Sequence, residues 1–117
     1  MPGRLTTHVL DTAGGKPAAR MRVQLMWVEP DRDVLLRAAV TNADGRTDGP
    51  MIEGDRFSAG TYKLIFDVGD YYASIGHTDA WKFLSIVPIV FTVDDASANY
   101  HVPLLVSPWA YSTYRGS

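Results

Sequence analysis

The sequence predicts an all-β sandwich of seven or eight short antiparallel strands with one short helix, on three observations. Apolar residues recur at alternate positions, the strand-length segments follow one another at spacings of about ten residues, and turn formers close each of them. The strands are half apolar, as antiparallel sheets with one exposed face require. At 117 residues, 1–117 is expected to be a single domain with one core.

Leu5 to Asp11 is the first strand, with Leu5, Thr7 and Val9 on one side and Thr6, His8 and Leu10 on the other; Gly14-Gly15-Lys16-Pro17 ends it. Met21 to Val28 repeats the pattern, so Met21, Val23, Leu25 and Trp27 face a core, and Glu29-Pro30-Asp31 turns the chain. Val34 to Thr41 is the third strand, closed by a turn over Asn42 to Arg46 in which Gly45 can take positive φ. Arg46 follows at once and is therefore aimed by a rigid element. Thr61 to Val68 presents Tyr62, Leu64, Phe66 and Val68 on one face. Asp70 is placed to cap a short helix, the only one expected, through Tyr71 to Ile75, with Gly76 as its stop. Phe83 to Val93 supplies one or two strands, and Pro88 within it indicates an edge or a bulge. Tyr100 to Val106 is the last long strand, and a short stretch follows Pro108. Val87 to Val93 and Leu104 to Val106 look apolar on both faces; an uncovered outer face of that kind implies an oligomer.

A net charge of −2 with no basic stripe argues against nucleic-acid binding. The longest apolar runs are about half of what a bilayer crossing needs, so no membrane association is expected. The start, Met1-Pro2-Gly3-Arg4, lacks an apolar leader, and with no cysteine the chain is expected in the cytoplasm. The missing thiols also exclude disulfides, cysteine catalysis and thiolate metal sites.

Of the three histidines, His8 and His101 project from one sheet face if their strands pair. They are either structural or a proton-transfer pair, since imidazole titrates near neutrality. A zinc site needs a third ligand, which only His77 or a loop carboxylate could supply, and no HExxH-type spacing is present. His77 reads as an ordinary loop residue. Ser107, Ser112 and Ser117 have no nucleophile elbow around them. Arg46 and Arg115 are either solvated cations or forks for an oxyanion or imide edge. Tyr111 and Tyr114 suit packing or binding equally. Chain ends fray unless tied down, and Tyr111 to Ser117, with its aromatics and guanidinium after an apolar strand, reads as docked. Trp27, Trp81 and Trp109 identify no cofactor, and there is no Rossmann, Walker or calcium loop.

Several segments in order, Thr7 to Asp11, Gly15 to Ala18, Asp44-Gly45-Arg46, Gly69 to Tyr72, Tyr100 to Leu105 and the tail Tyr114-Arg115-Gly116-Ser117, resemble the 5-hydroxyisourate hydrolases, the enzyme branch of the transthyretin-like family. The tail is the most specific piece, because hormone-carrying transthyretins lack it. The resemblance implies a transthyretin-like sandwich, a homotetramer built as a dimer of dimers with active sites at the mouths of a central channel, and cofactor-free, metal-free hydrolysis of 5-hydroxyisourate. It also implies His8, Arg46 and His101 as catalytic residues, with His101 preferred as base, and Tyr114, Arg115, Gly116 and Ser117 as substrate-binding ones. Asn99, Phe83-Leu84-Ser85, Trp109-Ala110 and the variable Gly76 to Asp79 depart from the family pattern outside that set. The competing expectations are a non-enzymatic transthyretin-like carrier of small ligands and a β-sandwich interaction module.

Overall fold

Alternating burial along the chain shows which side of each strand meets the core, and in the computed structural model this alternation follows the sequence pattern closely. The structure describes residues 2–117 apart from Thr78, Ala80 and Trp81; the readings of Met1, Thr78 and Trp81 therefore lie outside the described residues.

One sheet has the order β5-β4-β7-β8, formed by β4 (Arg22–Val28), β5 (Asp33–Val40), β7 (Gly60–Asp67) and β8 (Ile86–Val93), all antiparallel. Its inner face supplies Val23, Leu25, Tyr62, Leu64, Phe66 and Val87, each 0–1% exposed. Pro88 lies on β8, an edge strand, where its missing N–H costs no ladder bond on the open side.

The opposing layer is built on two chain-distant segments running side by side. β1 (Arg4–Thr6) pairs in parallel with β9 (Tyr100–His101), and β2 (Val9–Asp11) in parallel with β10 (Leu104–Val106). The wholly antiparallel sandwich expected from the pattern is thus corrected to a mixed one. Short flanking strands β3 (Lys16–Pro17), β6 (Ile52–Glu53) and β11 (Tyr111–Ser112) complete the layer. The two long strands expected over 5–11 and 100–106 are each divided. Pro103 has no N–H to give the ladder, and His8, beside it, also forms an antiparallel bridge with Arg46. Bonds from Val102 N–H to the Thr6 carbonyl and from Leu104 N–H to the His8 carbonyl, both 2.9 Å, carry the pairing across the gap.

The helix α1 spans Val68–Ser74, with Asp67 at its N-cap position and no side-chain cap bond. Asp70 lies inside the first turn, which corrects its expected capping role. A 3-10 turn at Gly54–Arg56 is absent from the sequence reading. Tyr71 and Tyr72 bury their rings and send both hydroxyls to the Asp11 carboxylate, 2.9 and 2.7 Å away, tying α1 to β2. No described helix is long and apolar enough to cross a membrane.

Candidate functional site

Thr6 and His101 are register partners in the parallel β1–β9 pair, and the His8 carbonyl is bonded by Leu104 two steps further along. Thr6, His8 and His101 are all half-buried while Leu5, Thr7, Val9, Tyr100 and Val102 point inward, so the polar phase of the alternation stands on one surface.

Arg46 is brought to that surface by the Asn42–Arg46 turn. The Asn42 side-chain carbonyl accepts the backbone N–H groups of Asp44 (2.9 Å) and Arg46 (3.2 Å), and Asn42 N–H reaches the Arg46 carbonyl at 2.7 Å. Gly45, at φ 77°, lets the turn lie against β2, where Val9 N–H donates to its carbonyl at 2.8 Å. A Cβ at Gly45 would overlap the Val9 carbonyl oxygen. The same turn holds His8, whose Nε2 is 2.7 Å from the Asp44 carbonyl. Because a carbonyl only accepts, that nitrogen carries the hydrogen.

The His101 ring is fixed on both flanks. Its Nδ1 lies 2.9 Å from Thr6 Oγ1. On the other side Gly116 forms a bridge with His101, Gly116 N–H to the His101 carbonyl at 2.6 Å and His101 N–H to the Gly116 carbonyl at 3.2 Å. A Cβ on Gly116 would sit 3.1 Å from His101 Cβ and 3.2 Å from Cδ2, so the tail approaches as closely as it does because that residue is glycine. Burial, then the Arg46 guanidinium, then His8, hold the His101 pKa below its ordinary 6.5. The imidazole is accordingly neutral at neutral pH and able to accept a proton.

A cavity of about 520 Å³ opens here, lined by Arg4, Thr6, Arg46, Thr47, His101 and Ser117 among others. The tail divides across two surfaces. Gly116 and Ser117 are on the His101 side, whereas Tyr114 and Arg115 line a second cavity of about 780 Å³ with Phe91 and Tyr100. The Arg115 guanidinium carbon lies 4.3 Å from the Tyr100 ring centroid, and its Nη2 reaches the Asn99 carbonyl at 3.4 Å. Within one chain, then, His8, Arg46, His101, Gly116 and Ser117 gather on one side, and Tyr114 and Arg115 stand apart. Tyr111 and Tyr114 are exposed, so neither packs into this chain's core.

The other sequence candidates have structural partners. His77 meets the Tyr72 ring edge-on at 5.3 Å between centroids. Ser107 Oγ accepts the N–H groups of Trp109 and Ala110 in a turn. Among the described residues no group of three or more His, Asp or Glu side chains could hold a metal ion. Thr6 and Arg4 were missed by sequence reasoning, although the alternation that places His8 on the polar face places both of them there as well.

Residues 5–116 match the HIUase/Transthyretin family. The chain is 55% identical to 5-hydroxyisourate hydrolase of Deinococcus radiodurans over 116 residues, covering 99% of this chain and 97% of the relative. It is similar to the crystal structure of (S)-allantoin synthase, with a TM-score of 0.92 and 47% identity; the match covers 99% of this chain but only 44% of that longer one. It is also similar to sea bream transthyretin in complex with thyroxine, with a TM-score of 0.86 at 27% identity over 97% of this chain and 94% of the other. The sandwich-like fold is thus shared with that transthyretin, while sequence identity is about twice as high to the hydrolase. With the family matched from Leu5 to Gly116, the chain belongs to the HIUase/Transthyretin family.

Proposed function

We propose that the protein hydrolyses 5-hydroxyisourate to 2-oxo-4-hydroxy-4-carboxy-5-ureidoimidazoline, using its own side chains and no cofactor. The observation that carries this reading is the 55% identity to a 5-hydroxyisourate hydrolase along essentially the whole of both chains. Water attacks the ring carbonyl and the adjacent C–N bond breaks; the carbonyl carbon stays on the five-membered ring as the carboxylate, and the released nitrogen takes up a proton to become the ureido NH2. His101 takes the proton from water through Nε2, and its lowered pKa keeps the ring neutral at neutral pH. Arg46 holds the heterocycle and stabilises the oxygen as it becomes negative. His8, anchored to the Asp44 carbonyl, orients the substrate or shares the proton.

Ser117 lines the same cavity, and Gly116 before it bridges His101. Tyr114 and Arg115 face the neighbouring surface, so their substrate-binding role belongs to the assembled molecule: a homotetramer, a dimer of dimers in which the sites open at a central channel. Support for assembly comes from exposed apolar side chains on β8, Ile86 at 53% and Val90 at 57%.

The deciding experiment adds the protein to freshly generated 5-hydroxyisourate and follows its absorbance. Decay many-fold faster than the spontaneous rate is expected; a rate equal to the spontaneous one would sink the enzyme reading and favour a ligand carrier.

A further inference from the structure

We propose that Thr6 is a positioning residue whose hydroxyl oxygen accepts the Nδ1–H of His101, fixing the tautomer that leaves Nε2 unprotonated toward the cavity. This rests on the reading of His101 as the base. The two atoms lie 2.9 Å apart on directly paired positions of β1 and β9, so a strand ladder and not a loop sets their separation. Thr6 Oγ1 has His101 as its partner, and the other ring nitrogen, Nε2, has no hydrogen-bond partner among the described residues. Thr7, the adjacent hydroxyl, cannot substitute: it points inward and donates to the Val102 carbonyl at 2.8 Å.

A hydroxyl can donate or accept, so both tautomers satisfy the distance. The direction follows from the proton transfer. Once Nε2 takes a proton, both ring nitrogens carry hydrogen, and only an acceptor at Nδ1 keeps its bond before and after the step. Arg46 and His8 both oppose charge on the His101 ring. Thr6 is the neutral acceptor that counters them, and this bond strengthens as the ring charges. Thr6 also lines the cavity, so its own hydroxyl proton has water to donate to.

Protein labelled with 15N-histidine, recorded above the His101 titration, reads the tautomer directly, and the His101→Asn variant assigns the signals. Nδ1 is expected to be protonated and Nε2 free in the parent protein and in Thr6→Ser, with that preference lost in Thr6→Val. Steady-state kinetics should show kcat of Thr6→Val lowered about tenfold with KM within about twofold, and Thr6→Ser close to the parent, since one hydrogen bond of about 1.4 kcal/mol corresponds to tenfold. A free Nδ1 in the parent protein would overturn the proposal, as would a Thr6→Val variant with unchanged tautomer and kcat. If Thr6→Val fails to fold, the parent spectrum alone decides the direction of the bond. Full turnover by His101→Asn would instead remove the base assignment on which the proposal rests, a failure visible separately from the spectrum.

Discussion

Arg46 acts on the proposed reaction in two separable ways, as a charge near His101 and as a planar fork. Its charge is one of the causes that, after burial, keep the imidazole below its ordinary pKa of 6.5. Activity should therefore hold at neutral pH and fall only as acidification protonates His101, at a pH below 6.5. Arg46→Lys keeps the charge and loses the fork: we expect the acid limb of the kcat/KM profile to stay in place while kcat drops about 10²-fold, the scale of losing an oxyanion donor. Arg46→Gln loses both, so the limb should also move to higher pH; a limb that stays put would remove the guanidinium as a cause of the shift. Folding stability has the same sign, because the unfolded chain binds a proton at 6.5 that the folded ring resists. The His101 contribution is thus present above 6.5 and is lost as pH falls through the lower folded value. At Gly116 the effect is steric: Gly116→Ala must push His101 or the tail by a few tenths of an ångström. Circular dichroism should be unchanged and kcat reduced; full activity would mean that His101 tolerates the shift.

The turn from Asn42 to Arg46 shows how one element sets two functional side chains at once. It donates Arg46 and supplies the carbonyl that holds His8, and its seat on β2 depends on Gly45. Gly45→Ala adds a Cβ at φ 77° against the Val9 carbonyl, costing about 1 kcal/mol from conformation alone and more from overlap. A lower melting temperature together with loss of turnover is the expected outcome, and a variant with parental stability and rate would show the turn to be adaptable. This turn was legible because Asn-x-x-Gly between two alternating segments carries its own mechanism. Strand faces were legible too: the core phases of β4 and β7 follow from spacing alone. The break in the first strand was not, since it depends on Pro103, a residue far away in sequence that removes a ladder donor. Parallel pairing between segments some 95 positions apart leaves no local trace. The helix start was misread for a similar reason. Val68 continues the inward phase of Tyr62, Leu64 and Phe66, so the strand pattern runs on past the point where Gly69 N–H bonds the Ser85 carbonyl and the helix begins.

Across the molecule, the buried Asp11 carboxylate joins three elements, accepting from Tyr71 and Tyr72 of α1 and from Gly14 N–H, while the Tyr72 hydroxyl also lies 2.9 Å from the β10 carbonyl of Val106. Burial works to raise the Asp11 pKa, but the bonds from Gly14, Tyr72, Tyr71 and Ala13 together outweigh it and lower it below 3.8. Burial, followed by Asp11 itself, raises both tyrosines, which stay protonated as donors. The network therefore contributes stability above pH 3.8 that is lost as pH falls through the lower folded value. Tyr72→Phe removes a bond to a charged acceptor and should cost about 1.5–3 kcal/mol. Neither Tyr72 nor its partners Asp11 and Val106 line the His101 cavity, so chemical denaturation should show the loss while kcat stays near the parent value; a matching drop in kcat would mean that α1 couples to the site. The proposed tetramer makes the complementary demand on the outer surface. Ile86 and Val90 stand more than half exposed on an edge strand whose inner side is already used by the core. A stable interface needs about 800 Å² from each partner, and apolar side chains on an open edge are suited to supply it by strand pairing. Val90→Asp would bury a charge in that contact without touching the core of its own chain. Light scattering should then report four chains for the parent and a smaller species for the variant, with turnover reduced in step if Tyr114 and Arg115 serve sites completed by assembly. A monomeric parent with full activity would exclude the tetramer while leaving the chemistry of His101 intact.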